Sequence, residues 1–557
     1  MRRHSVIASR ISFVATHYVH ADIKPFGSTG LPAPAHNVGV RALTEITDYH
    51  ESLEAFSKAR LWSLFDGDRT SLNIGHECID RHSADRLAVH IIDAAGEDER
   101  YNFGELRAWS NRFANYLEAS NVARGSTIAI MLEPSLAFYA SLFGAMKAGC
   151  IAVPLFTLFG PDGMKLRLDD CDPALFLASL DHVSLAETVN GRRNVPVDDR
   201  FMMELETHSS DYDPATSAAD MAMYQYTSGT TRQLPEAIRH RHRAIVTVML
   251  AALYGTGVRP QDHLCCPSSP AWGHGLWHGT LAPLGMGASI SSYRGKFDPV
   301  RLFEALEKLE INNLSAAATH YRMLRQCPGA NEFRHRVEKL SFTGEPIDSD
   351  TASWVTDHFG QPACSIYGTT EVGVILVSYP GAEDFVVKPD ALGKPIPGLD
   401  VAVIDPNGEV TQPGEKGEIV VRRGDDWFKT KDIGYTDTDG YFYHAGRADD
   451  VIISAGYTMS AVEIEDVLLK HKDVKEVAVV ASPNLDRGHI PKAFVVSARA
   501  GNDEFIEELQ QIAQSRLSRH EYPRAVAFVD SLPKLPAGKI NRKALREQEI
   551  INQENHS

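Results

Sequence analysis

The sequence predicts an α/β protein: a large N-terminal body of parallel-type sheets between helices, followed by a small α+β C-terminal unit. Three observations predict it. The 557 residues exceed the roughly 250–300 at which a single hydrophobic core stops growing, so at least two domains are required. From about Leu53 to Asp181 apolar residues switch repeatedly between helical and strand periods, which implies a mostly parallel sheet covered by helices. Towards the C-terminus this alternation gives way to two long strand-like runs and an amphipathic helix.

Within the body, Leu106, Trp109, Phe113 and Leu117 recur at helical spacing and predict a helix. The β-branched and apolar run at 126–132 follows as a buried strand, then a second apolar helix, then a strand at 151–155. In the C-terminal unit, 474–482 and 492–498 read as strands, and Phe505, Leu509 and Ile512 mark one face of a helix. Gly446-Arg-Ala-Asp-Asp450 is polar, turn-forming and without hydrophobic period, so it marks the boundary. The expected domains are therefore 46–447 and 448–557, with 1–45 as an N-terminal extension. That extension carries Arg2, Arg3 and Arg10 and no acid before Asp22. The composition suits a disordered extension, the preferred reading, or a transit-type presequence.

Charge and composition exclude several function classes. Hydrophobic residues are 43% and charged residues 23% of the chain, ordinary for a globular protein. With 56 Lys and Arg against 73 Asp and Glu, the net charge is −17, and nucleic acid is excluded as the main partner. A small polyanion remains admissible, because it needs only a local pocket of amides or cations. The longest apolar stretch, 244–254, is about half of the ~20 residues a spanning helix needs. Seven scattered cysteines without a CxxC pair point to a reducing, cytoplasmic location.

Candidate chemistry lies in short strings. Tyr226-Thr-Ser-Gly-Thr-Thr231 sets small hydroxyl residues around a glycine, a composition that lets backbone and hydroxyls approach phosphate, although most such strings are plain loops. Tyr367-Gly-Thr-Thr-Glu-Val-Gly373 offers one carboxylate suited to Mg²⁺ shared with phosphate oxygens, or else a solvated turn. Asp432 could accept from two ribose hydroxyls, and Asp437-Thr-Asp-Gly440 reads as a hairpin turn. Pro536-Ala-Gly-Lys-Ile-Asn-Arg542 places a lysine on a tight turn. Trp272-Gly-His-Gly-Leu-Trp-His278 is better read as aromatic lining of an apolar pocket than as a zinc site, because it lacks the glutamate of HExxH.

Taken in order, Thr-Ser-Gly-Thr-Thr, Thr-Gly-Glu-Pro at 343–346, Tyr-Gly-Thr-Thr-Glu, Asp432, Gly-Arg-Ala-Asp-Asp and Gly-Lys-Ile-Asn-Arg resemble the adenylate-forming superfamily. That family includes acyl-CoA synthetases, luciferases and peptide-synthetase adenylation domains. The resemblance spans about 53–547. Gly144-Ala-Met-Lys-Ala-Gly149 and His520-Glu-Tyr-Pro-Arg524 are similar to the acetyl and medium-chain acyl-CoA synthetase branch. The resemblance implies a β-barrel-like subdomain in the body and a C-terminal lid that rotates between half-reactions. It implies that Thr227, Ser228, Gly229, Thr230 and Thr231 cradle ATP phosphates. Gly344, Glu345 and Pro346 would border adenine, and Tyr367 would stack on it. Thr370 would touch the α-phosphate, Glu371 would hold Mg²⁺, Asp432 would bind the ribose, and Arg447 would reach the ribose or α-phosphate. Asp449 would be the hinge, Gly456 would lie along the coenzyme A tunnel, and Lys539 would stabilise charge during adenylation. Gly368 stands where acetate-specific relatives carry a tryptophan, which implies a longer acyl group, with Trp272 and Trp277 in the acyl pocket.

Two departures stand out. The phosphate loop continues Arg232-Gln-Leu-Pro-Glu-Ala237 where the family reads Gly-x-Pro-Lys-Gly, and Tyr457-Thr-Met459 lacks the arginine many relatives carry after the aromatic residue. The expected function is an AMP-forming ligase of a medium-chain or cyclic/aromatic acid with coenzyme A. Its partners are that acid, ATP and coenzyme A, and a homodimer is compatible with the family. Two alternatives stay open: an adenylating enzyme that loads a separate carrier protein, and a non-catalytic nucleotide- or acyl-CoA-binding relative.

Overall fold

The computed structural model describes residues 41–187, 193–226, 237–344, 347, 349–369, 372–447, 451–455, 457–518, 520–533, 540 and 542–554. Two sheets build the body. The six-stranded sheet runs Asn194–Pro196, Leu175–Ala178, Thr127–Met131, Ile151–Pro154, Met221–Gln225, Ile238–Arg241. All neighbours are parallel except the last two strands, which pair antiparallel. The Ser/Thr/Gly string therefore lies in the connection between two antiparallel neighbours.

The larger sheet has 13 strands. Its parallel part includes Leu87–Asp93, Ser289–Arg294, His263–Cys266, Asn313–Ala317, Lys339–Thr343 and Cys364–Thr369. It continues antiparallel through Gly373–Val377, Ala391–Pro395, Phe442–Arg447, Asp426–Thr436, Gly417–Arg423 and Val401–Ile404. This antiparallel run occupies the place where a barrel-like subdomain is expected. The boundary string differs from its reading in one respect: Gly446 and Arg447 continue a strand, because Ile433 and Asp432 opposite them supply ladder partners.

The predicted helix forms as Phe103–Ala119, capped by a reciprocal Asn102–Glu105 box. It crosses Leu136–Lys147 closely enough that a Cβ on Gly144 would sit 2.5 Å from the Ser110 carbonyl oxygen, so only glycine fits there. At the end of the second helix Lys147 is fully buried. Its Nζ donates to Asp80 Oδ1 at 2.5 Å and to Ser110 Oγ and Asn111 Oδ1 at 2.8 Å. Burial lowers its pKa to about 8 against the opposing pull of Asp80, and three partners leave no donor position empty. At the N-terminal end of the described chain, Leu43 and Ile46 are both 2% exposed and pack into the main core.

The C-terminal unit opens with the hairpin Val451–Ser454/Tyr457–Ser460 and the helix Ala461–Leu468. The two predicted strands form as Val474–Asn484 and Gly488–Ser497, joined by Ala525–Phe528 in one sheet. The helix Asp503–Arg516 buries Phe505, Leu509 and Ala513, and its neighbour Ile512 packs at the edge of the same core. Among the described residues, no helix is long and apolar enough to cross a membrane.

Candidate active site

Strand ends bring three sequence-distant strings together. Tyr367, on Cys364–Thr369, donates its hydroxyl to Asp432 Oδ2 at 2.6 Å. Asp432 is 3% exposed on the neighbouring antiparallel run and pairs in register with Arg447. The Asp432 amide donates to Thr430 Oγ1 at 3.2 Å, and that hydroxyl donates to the Ile419 carbonyl at 2.7 Å. His444 Nε2 stands 3.5 Å from Asp432 Oδ1. The aim of the carboxylate has a local cause. Lys431 holds φ +64°, a left-handed conformation that costs a non-glycine residue about 1–2 kcal/mol. The ladders on both sides of it lose register, between Glu418 and Val420 and between Ile433 and Gly434. Such irregularities re-aim side chains beside functional sites.

The strand carrying Tyr367 turns back at once, and Thr369 pairs with Gly373. This return constrains Gly368: a Cβ there would lie 2.0 Å from the Gly373 carbonyl oxygen and 2.7 Å from Val374 Cα. A Cβ at 368 would meet this backbone, so in this chain glycine has a packing reason beside any effect on the acyl pocket. We expect Gly368→Ala to cost about 1–3 kcal/mol, as overpacking does, read as a fall in Tm. Gly368→Trp should lose folded protein before it changes acyl preference; a Trp variant with unaltered Tm would contradict this.

The aromatic segment divides in two. Trp277, on the helical turn His274–Leu281, donates Nε1–H to Gln225 Oε1 at 2.7 Å and meets the His240 ring edge-on at 4.7 Å. It thereby touches the residue preceding Tyr226. Trp272 stacks on Tyr457 of the C-terminal hairpin, centroids 6.4 Å apart. Tyr457 also lies against His520 at 4.2 Å and Phe156 at 6.2 Å. Sequence reasoning did not place Tyr457 here; its position beside Gly456 was the available signal. Both ring nitrogens of His274 are engaged within the protein. His274 uses Nδ1 with Ser268 Oγ (3.1 Å) and Nε2 with Ser315 Oγ (2.9 Å). Burial, with His278 and His320 nearby, holds its pKa well below the ordinary value. No group of three or more His, Cys, Asp or Glu residues among those described could hold a metal ion.

Gly344 ends Lys339–Thr343 at φ +94°. The other expected site residues, Thr227, Ser228, Gly229, Thr230, Thr231, Glu345, Pro346, Thr370, Glu371, Asp449, Gly456 and Lys539, lie outside the described residues, as does the Arg447 side chain.

A polar seam joins the C-terminal unit to the body. Gly160 N–H donates to the Leu517 carbonyl at 2.9 Å, and Asp162 pairs with Lys470 at 3.3 Å and Arg516 at 3.1 Å. Glu463 reaches the same seam. Burial first, and then the Glu521 carboxylate, raise its pKa to about 8 against the pull of Arg167.

Comparison with known proteins agrees with this arrangement. Residues 76–429 match the model of the AMP-binding enzyme family, and 463–539 match the AMP-binding enzyme C-terminal domain. An uncharacterized acyl–CoA ligase of Bacillus subtilis (strain 168), YtcI, is 31% identical over 83% of this chain and 93% of its own. The human mitochondrial acyl-coenzyme A synthetase ACSM3 is 29% identical over 82% of this chain and 85% of its own. The crystal structure of an acyl-CoA synthetase from Brucella canis superposes with a TM-score of 0.68 at 28% identity, over 91% of this chain and all of that one. The two family models cover the body and the C-terminal unit separately, in the order the fold presents them: the chain belongs to the AMP-binding enzyme family.

Proposed function

We propose that the acid activated by this AMP-forming acid–CoA ligase is a medium-chain or cyclic/aromatic carboxylic acid. ATP and coenzyme A are its co-substrates, the cytoplasm its location, and a homodimer a compatible assembly. The observation that carries the reading is the 2.6 Å contact between Tyr367 and Asp432. An aromatic ring beside a buried carboxylate supports binding of adenine and ribose there. Trp272, Trp277 and the Tyr457 ring support an apolar, aromatic acyl pocket.

In the first step a carboxylate oxygen attacks the α-phosphorus of ATP, the bond to the β-phosphate oxygen breaks, and pyrophosphate leaves. In the second, the coenzyme A thiolate attacks the acyl carbon, and AMP departs with the bonding pair. Neither step needs a strong protein base; alignment and charge neutralisation suffice. Ser228, Gly229, Thr230 and Thr231 would bind the β- and γ-phosphates, Thr370 and Arg447 the α-phosphate, and Lys539 the charge developing there. Gly344, Glu345 and Pro346 would border the adenine. Mg²⁺ would be held by Glu371 and phosphate oxygens, and would neutralise charge on the leaving pyrophosphate. Thr369 Oγ1, next in sequence to these residues, is buried and has no hydrogen-bond partner among the described residues, which fits an oxygen-rich ligand at this strand end. Rotation about Asp449 would then bring Gly456 to the pantetheine arm.

Incubation with MgATP, coenzyme A and a panel of carboxylic acids tests this. Mass spectrometry should find AMP, pyrophosphate and a thioester for a medium-chain, cyclic or aromatic acid. Preference for acetate would contradict the proposed acid, and adenylate without thioester would point to a carrier protein as the acceptor.

A further inference from the structure

The helix Pro161–Cys171 begins with proline at its first turn and ends on a left-handed Asp172. It buries Met164, Leu168 and Cys171 against the six-stranded sheet, where the Tyr226 ring packs on the same cluster. Its last turn presents Asp170 beside the loop end of the hairpin formed by Met221–Gln225 and Ile238–Arg241. A single oxygen there, Asp170 Oδ2, takes hydrogen bonds from both sides of the intervening segment. The Tyr226 hydroxyl donates to it at 2.7 Å, with the Arg167 carbonyl at 3.0 Å as alternative acceptor. The Ala237 amide donates to it at 3.3 Å. Residues 226 and 237 flank 227–236, the segment carrying the Ser/Thr/Gly string. Burial first, with Cys171 and Asp170 adding to it, keeps the Tyr226 phenol protonated, so it remains a donor at every working pH.

We propose that Asp170 is a positioning residue for nucleotide binding: its carboxylate ties together the entry and exit of the phosphate loop. The inference rests on the reading of 227–231 as that loop. One feature separates it from plain electrostatics. A carboxylate near polyphosphate repels it, so a role through charge alone makes any neutral replacement favourable for ATP. A tie makes the opposite prediction for alanine and a different one for asparagine. The Asn Oδ1 accepts from both Tyr226 and Ala237 as the carboxylate does, whereas alanine accepts from neither.

Steady-state kinetics of Asp170→Ala, Asp170→Asn, Tyr226→Phe and Ser228→Ala, with Tm for each, test the proposal. Asp170→Ala should raise the KM for ATP about tenfold, the effect of losing a charge-assisted hydrogen bond, while KM for the acid and coenzyme A stay within about twofold. Asp170→Asn should return the KM for ATP to within about twofold of wild type, and Tyr226→Phe should fall between the two. In the double variant Asp170→Ala with Tyr226→Phe, the tyrosine change should add less than it does alone, since its carboxylate partner is gone and only the Arg167 carbonyl remains. An unchanged or lowered KM for ATP in Asp170→Ala overturns the proposal. So does an equal rise in all three KM values with a matching fall in Tm, which marks a structural role only. Ser228→Ala separates the premises. If it raises the KM for ATP while Asp170→Ala does not, the loop stands and the tie falls; if it leaves ATP untouched, the loop reading falls and takes the tie with it.

Discussion

Lys539→Ala is expected to slow acyl-adenylate formation by about 10²–10³-fold, the cost of removing one group aimed at developing charge. Thioester formation from supplied acyl-adenylate should stay within about twofold of wild type, since that route makes and breaks no bond at the α-phosphorus and needs no charge stabilised around a five-coordinate phosphorus. The split follows from a division of labour within the C-terminal unit. The hairpin Val451–Ser454/Tyr457–Ser460 meets Trp272 through Tyr457, whereas Lys539, roughly eighty positions further along the chain, is the residue we propose for the adenylation step. Pyrophosphate exchange measures the first half-reaction, and mass spectrometry of the thioester from synthetic adenylate measures the second. Equal loss in both would contradict the assignment of Lys539 to one step.

Asp432→Ala is expected to raise the KM for ATP by about 10–100-fold, corresponding to a charge-assisted hydrogen bond to ribose of roughly 1.5–3 kcal/mol. Stability should move much less than for most buried carboxylates. Asp432 is held by a tyrosine hydroxyl and a nearby histidine, and in the alanine variant Tyr367 can turn to the Thr430 hydroxyl, already 3.5 Å away. Tyr367→Phe isolates the positioning contribution and should raise the same KM about three- to tenfold, a typical neutral hydrogen-bond effect. ATP binding by titration calorimetry checks both variants. Unaltered ATP affinity in Asp432→Ala would remove the ribose assignment.

Much of the fold was legible because its periods are strong. The helical spacing of Leu106, Trp109, Phe113 and Leu117 and the strand-like 126–132 run correspond to Phe103–Ala119 and Thr127–Met131. The long C-terminal strands also formed where alternation placed them. Gly446 and Arg447 were harder: their composition is that of a turn, and only the partner strand Asp426–Thr436 makes them β. Site legibility followed the same division. Asp432 and Tyr367 could be singled out from short strings, but their contact spans 65 positions and depends on sheet order, which local pattern does not contain. Gly368 carries two readings: the missing tryptophan implies a longer acyl group, and a carbonyl 2.0 Å from the missing Cβ adds a backbone reason that local pattern does not contain. Asp170 carries no motif at all, because its role comes from where a helix ends relative to a hairpin.

The opening composition also takes on a sharper meaning. A chain of net charge −17 repels its own anionic substrates at long range, so binding must come from local groups. Under the proposed assignment the cations for this task are Arg447 and Lys539, with Arg232 next to 227–231 in the sequence.

The proposed chemistry turns on attack by the acid's carboxylate on the α-phosphorus of ATP rather than on another atom. Oxygen tracing tests it most directly. With the preferred acid labelled with ¹⁸O in both carboxylate oxygens, and with MgATP and coenzyme A, one labelled oxygen should appear in AMP and one remain in the thioester. Unlabelled AMP, or label transferred to inorganic phosphate with ADP as the nucleotide product, would contradict the account.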